Sequence, residues 1–253
     1  MDYDDDMTRD QLIDFLRGAK GVDIENFDRD SPRNLKQLRG QIVGRDVKLI
    51  KLEASMCVPP EMVGRILMVR SSVKVLVATG QDVLLEEKRV YLPNETRLTP
   101  IVREGLKDFS ISETIKQGEP PIGAACSGMW RELQIPVHNG GEFDQTSWPD
   151  AEIQPIREST AYLGFLAQEI IHRLSLMWPE RLWGKGKVYH DDGMEGHTRW
   201  HPYSFLREKF PQTFSRLTHT ELRPQDLEDY YMGMDIPAEL RNTLKRLGEK
   251  IDD

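Results

Sequence analysis

Alternating apolar and polar positions are clearest over residues 69–93, where two apolar-rich arms flank an Ala-Thr-Gly-Gln-Asp tip. On the first arm Val69, Ser71, Val73, Val75 and Val77 share one face, and Arg70, Ser72, Lys74 and Leu76 share the other, the period of two that marks a half-buried strand. The second arm alternates Val83 and Leu85 with Leu84, turns polar from Glu86 to Arg89, and closes on Val90, Tyr91 and Leu92. A β-hairpin with charge on one face is predicted. A second hairpin is predicted over 184–205, with its tip at Gly193-Met194-Glu195-Gly196. Over 46–56, Val47 and Leu49 alternate with Lys48 before the phase slips at Ile50, which predicts a strand that Pro59 and Pro60 stop.

Other segments carry helical spacing. Thr8 precedes Leu12, Ile13, Phe15 and Leu16, with Asp10 and Gln11 in the first turn, which predicts a short capped helix ending near Gly18 to Gly21. A helix over 32–43 is predicted with Ser31 as N-cap, Pro32 at its first position and Gly44 at its end. Ser110 or Ser112 is a candidate cap for a helix ending near Gly118. Leu163, Leu166, Ile170, Leu174 and Met177 predict the strongest helix of the chain, over 158–176, and two more helical patterns occupy 224–231 and 237–250. Pro120-Pro121-Ile122-Gly123 reads as a rigid turn whose N–H groups near Gly123 suit an anion.

A chain of 253 residues accommodates one main core, or one core plus an appendage. Its 34 lysines and arginines against 42 aspartates and glutamates give a net charge of −8, which argues against nucleic-acid binding. Cys57 and Cys126 stand in no metal-ligand spacing and read as reduced, buried small apolar residues of an intracellular protein. The acidic start, MDYDDDMTRDQ, is unlike a signal peptide, and no apolar run has the roughly 18 residues of a membrane span, so a soluble, cytoplasmic protein is expected.

Several short motifs, taken in order, resemble the chorismate lyase family and its UTRA-domain relatives. They are a strand arginine (Arg70), a turn glycine (Gly80), a returning strand ending Arg89-Val-Tyr-Leu-Pro93, then Gly118-Glu-Pro-Pro121-Ile122-Gly123, and later Leu182-Trp183-Gly184 before Lys187-Val-Tyr. The resemblance covers about 34–131 and 182–206. It implies an α+β fold with a central antiparallel sheet of chorismate lyase type. An N-terminal helical lead would occupy 1–45, the core 46–206 with an inserted helix within 135–181, and a helical C-terminal extension 207–253.

The function it implies is that of a cofactor-independent carbon–oxygen lyase acting on a small aromatic or cyclic carboxylate, in its sharpest form pyruvate elimination from chorismate. Arg70 would clamp the carboxylate, which a guanidinium fork matches and lysine does not, with the N–H groups of Ile122 and Gly123 assisting and Arg89 nearby. The family's last-strand glutamate is missing from Arg199-Trp-His-Pro-Tyr-Ser-Phe-Leu206, which leaves His201 and Glu195 as candidates for proton transfer. That gap keeps open a non-catalytic binding or assembly protein, with the C-terminal helices contacting a partner or a second copy. His190, Asp191, Asp192, His197 and His201 are weighed as metal ligands and set aside as an ordinary polar hairpin tip. The expected set is therefore a carboxylate ligand, no cofactor, no metal, no nucleic acid and no membrane.

Overall fold

A computed structural model of the protein describes residues 7–93, 99–135, 137, 143–144, 150–178, 181–191 and 193–218. Helices α1 (Arg9–Leu16), α2 (Phe27–Asp30) and α3 (Leu35–Val43) lead into β1 (Lys48–Lys51), β2 (Ile66–Ala78), β3 (Asp82–Tyr91), β4 (Ile101–Glu104) and β5 (Ile111–Ile115). Helix α4 (Pro121–Gly128) runs into a π-helical turn at Met129–Leu133. Then come β6 (Phe143–Asp144), β7 (Glu152–Ile153), β8 (Arg157–Glu158), β9 (Leu166–Met177), β10 (Gly186–Asp191), β11 (Met194–Pro202), α5 (Tyr203–Lys209) and α6 (Pro211–Thr218). The fold is mixed α+β around a large, mostly antiparallel sheet of order β10-β11-β3-β2-β9-β6, with β1 and β5 on β2, β4 on β3, and β7 and β8 on β9.

Both hairpins form, β2 with β3 and β10 with β11, but Met194, Glu195 and Gly196, expected at the second tip, pair within β11, and Tyr203 to Phe205 open α5. Helix α1 starts where expected, because Thr8 and Gln11 cap each other reciprocally at 3.3 and 2.7 Å. Helix α3 starts later than Pro32. Asn34 forms the capping box with Gln37, while the Ser31 hydroxyl accepts the N–H of Leu163 at 2.8 Å.

Further expectations are corrected. Cys57 is exposed, not buried. Glu158 ends β8 and residues 166–176 lie in β9, so the strongest helix, and with it the inserted helix, is absent there. Residues 111–115 are a strand, and the Ser110 hydroxyl, instead of capping a helix, bridges strands by donating to the Leu84 carbonyl and accepting the Val77 N–H at 2.8 Å. The Pro-Pro-Ile-Gly segment opens α4 with Pro121 at its first position, a site that suits proline's missing N–H. The helical patterns at 224–231 and 237–250 lie outside the described residues.

The chain divides into two compact units: Met1–Ser72 with Thr114–Ala124 and Ala151–His172, and Val73–Glu113 with Ala125–Asp150 and Arg173–Asp253. The first unit packs Leu12, Leu16, Phe27, Leu38, Leu49, Ile66, Tyr162 and Phe165 into one core. Phe27 stacks on Tyr162 at 6.2 Å, and the Tyr162 hydroxyl reaches Gln41 at 2.8 Å. The second unit packs Leu76, Ala78, Val83 and Leu85 of its hairpin against Tyr203, Leu206, Phe214 and Leu217 of α5 and α6. Tyr203 anchors the hairpin tip by donating to the Thr79 carbonyl at 2.8 Å. Among the described residues no helix is long and apolar enough to cross a membrane.

Candidate functional site

Two constellations of charge stand out, one in each unit. In the first unit a cleft of about 320 Å3 is bounded by the end of α3, β1, the loop after β5 and β9. Arg45, Lys48 and Lys116 bring three exposed cations to it, Asp46 and Glu119 bring carboxylates, and Val47, Val69, Ile115 and Ile170 supply apolar wall. The local fold holds this arrangement by backbone bonds. The Arg45 carbonyl accepts the Gln117 N–H at 2.9 Å, and the Gln117 amide donates to the Val47 carbonyl at 2.8 Å. Glu119 accepts the Lys116 N–H at 3.0 Å across a turn in which Gly118 takes φ +82°. Arg45 itself sits in the left-handed region at φ +64°, a conformation that costs a non-glycine residue about 1–2 kcal/mol. Burial pushes the Asp46 carboxyl up, opposed by Arg70 and Lys116, and burial lowers His172, which favours its neutral form.

In the second unit, polar groups from β3, β5, β10 and the turn after α4 meet, with Glu86 and Glu132 buried, Arg89 and Glu113 part-buried and Arg131 exposed. Glu86 is 2 % exposed, held by Arg89 at 2.5 Å and by the Tyr189 hydroxyl at 2.9 Å. Glu132 is equally buried; its Oε2 has no hydrogen-bond partner, and its Oε1 lies 3.6 Å from Arg131, which also bonds to Glu113. Burial pushes the Glu132 carboxyl up to about 8, and Glu113 adds to this while Tyr189, Arg89 and Arg131 oppose it. Arg89 is raised despite its burial, through Glu86, and Tyr189 is raised chiefly by burial. The Tyr189 ring lies over Gly196, where a Cβ would stand 1.9 Å from the ring.

The residues singled out by sequence are scattered. Arg70 is exposed and bonds to the Thr114 hydroxyl, so it forms no buried clamp. The Gly123 N–H donates to the Pro120 carbonyl at 2.9 Å inside the first turn of α4 and is not offered to an anion, and Ile122 lies in the same turn. Arg89 serves Glu86. His201 lies 3.1 Å from Glu87, stacks on Phe205 at 4.3 Å and is lowered by burial, with Glu87 opposing. Glu195 stands 3.6 Å from His190 and 3.7 Å from His197. Among the described residues no His, Cys, Asp and Glu group is arranged to hold a metal, and Asp192 lies outside them. Sequence reading missed the cleft cations and Glu132. Arg45 and Lys48 lie in one stretch and Lys116 about 70 positions further on, with no common spacing, and Glu132 stands beside Arg131 with nothing local to mark it as buried.

No family model matches the chain, and no curated protein matches it. Solved structures of similar arrangement include DR0079 from Deinococcus radiodurans, at 13% identity and a TM-score of 0.30, covering 64% of this chain and 80% of that one. An Ap4A hydrolase from C. elegans is similar at 11% identity and a TM-score of 0.30, over 60% of this chain and 95% of that one. A binary complex of C. elegans Ap4A hydrolase gives 10% and 0.31, over 59% and 96%. Superposition this loose carries no activity across. The resemblance to chorismate lyase is not upheld: no family model matches the chain, and the solved structures of similar arrangement are other proteins. The expected action on a cyclic carboxylate falls with it, and the non-catalytic assembly role gains no support in its place.

Proposed function

We propose that the cleft of the first unit binds a small phosphorylated molecule, a phosphate monoester on an apolar body about the size of one ring. The observation that carries this reading is the convergence of Arg45 and Lys48, from the stretch that joins α3 to β1, with Lys116, from the loop after β5, on one cavity of about 320 Å3. One guanidinium fork is enough for a carboxylate, whereas a phosphate dianion offers three strong acceptor oxygens, one for each of the three cations. The apolar wall of Val47, Val69, Ile115 and Ile170 suits the rest of such a ligand. Retention of a strained arginine at position 45, where glycine would be unstrained, supports a role for its side chain.

Calorimetric titration with phenyl phosphate and with benzoate tests the reading. Phenyl phosphate is expected to bind at least about tenfold more tightly, and Lys116→Ala to weaken it about tenfold or more, since a hydrogen bond to a charged group contributes about 1.5–3 kcal/mol. Equal affinity for the two probes, or affinity untouched by Lys116→Ala, would overturn it.

A further inference from the structure

Three carboxyl groups and two guanidiniums meet in the second unit, and the neighbouring Lys187 ammonium donates to the Leu133 carbonyl. Arg89 is engaged by Glu86, with Nε and Nη2 at 3.2 and 2.5 Å, and Arg131 is engaged by Glu113. Glu132 is the third carboxyl, with one oxygen unpartnered and the side chain shut away from water. Every element packed against it can be named. Strand β3 presents Glu86 and Arg89, β5 presents Glu113, and β10 presents Tyr189 and Lys187, whose ammonium donates to the Leu133 carbonyl at 2.8 Å. Strand β11 contributes Gly196, without charge, beneath Tyr189. An ionised Glu132 would be a buried charge with an unpartnered oxygen, whereas a neutral acid carries no such penalty.

We infer that Glu132 is a proton-bound latch: as a neutral acid it holds the turn Met129–Leu133 on the sheet, and the turn opens more readily as pH rises from acidic toward mildly alkaline. Opening would uncover Met129 and Leu133, both fully buried, and hydrate the carboxyl. The direction follows from proton binding. With the folded value pushed up to about 8 and an ordinary value of 4.5 once hydrated, the closed form holds the proton more tightly, so opening becomes easier between these two pH values and levels off above the higher one.

Hydrogen exchange of the segment 125–135, corrected for intrinsic rates, reads this directly on the full chain. Between pH 5.5 and 7.5 the opening equilibrium is expected to grow up to about 100-fold, tenfold per pH unit, and to flatten beyond about pH 8. Glu132→Gln should remove that slope. Glu113→Gln, which takes away a charge that raises Glu132, should move the flattening point to lower pH and provides a test that does not depend on Glu132→Gln folding. A slope shared equally by native protein and Glu132→Gln, or a flattening point unmoved in Glu113→Gln, would overturn the latch.

Discussion

Arg45, Lys48 and Lys116 stand exposed around an open cleft in the first unit, whereas Glu86 and Glu132 of the second are almost wholly buried beside a part-buried Arg89. Exposed charges stay hydrated and can exchange that water for a ligand at small cost. Buried charges have to be balanced where they are, and a buried carboxyl with an unpartnered oxygen is neutralised by a proton. The same residue types therefore serve recognition in one unit and internal balance in the other.

The contrast breaks most severely at Gly196. A Cβ there would stand 1.9 Å from the Tyr189 ring and drive the phenol off Glu86, so Gly196→Ala is expected to destabilise by about 3 kcal/mol in chemical denaturation, the upper range for overpacking. Next in size, taken per pH unit, is the pH response. Because the folded Glu132 value of about 8 exceeds the ordinary 4.5, its stability contribution is complete below the lower value and is lost as pH rises through the higher one. Denaturation midpoints should therefore show native protein losing up to about 1.4 kcal/mol per pH unit between pH 5 and 8 relative to Glu132→Gln.

The cleft should respond in the opposite sense. Arg45→Gly relieves the left-handed backbone and is expected to leave stability within about 1 kcal/mol while weakening phenyl phosphate about tenfold, a separation of binding from folding that no substitution at Glu132 would give. The smallest effect is expected at the first unit's Arg65. Its fork to Glu158, with both bonds at 2.6 Å, ends on a carboxylate that is 68% exposed, so Arg65→Ala measured by thermal unfolding should cost no more than about 1 kcal/mol.

Legibility in the sequence followed how far each element's signal is local. The hairpins carried period-two alternation, and α1 carried a capping box within four residues, so both could be read. Strand β9 could not, because its charged groups are satisfied by distant partners, Glu169 by a hydrogen bond from the Ser72 hydroxyl at 2.8 Å and Arg173 by Asp108 at 2.8 Å. That leaves apolar residues at an accidental helical spacing. Ser110 misled for the same reason, since its partners Val77 and Leu84 lie far along the chain. Pro121 did carry a local helix-start signal, which was read as a turn because the neighbouring prolyl residue and Gly123 pointed the same way. Neither charge constellation was accessible from sequence. The cleft joins residues about 70 positions apart, as Gln117 to Val47 shows, and the burial of Glu132 is decided by strands from elsewhere in the chain.

The most direct measurement is an amide NMR titration of the native protein with phenyl phosphate at neutral pH. Saturable shifts centred on residues 45–48 and 115–119, with the signals of Glu132 and Tyr189 left in place, are the result expected if the open charges serve a ligand and the closed ones serve a proton. Shifts centred on the Glu86, Glu132 and Tyr189 cluster, or no saturable shift at either place, would contradict that division.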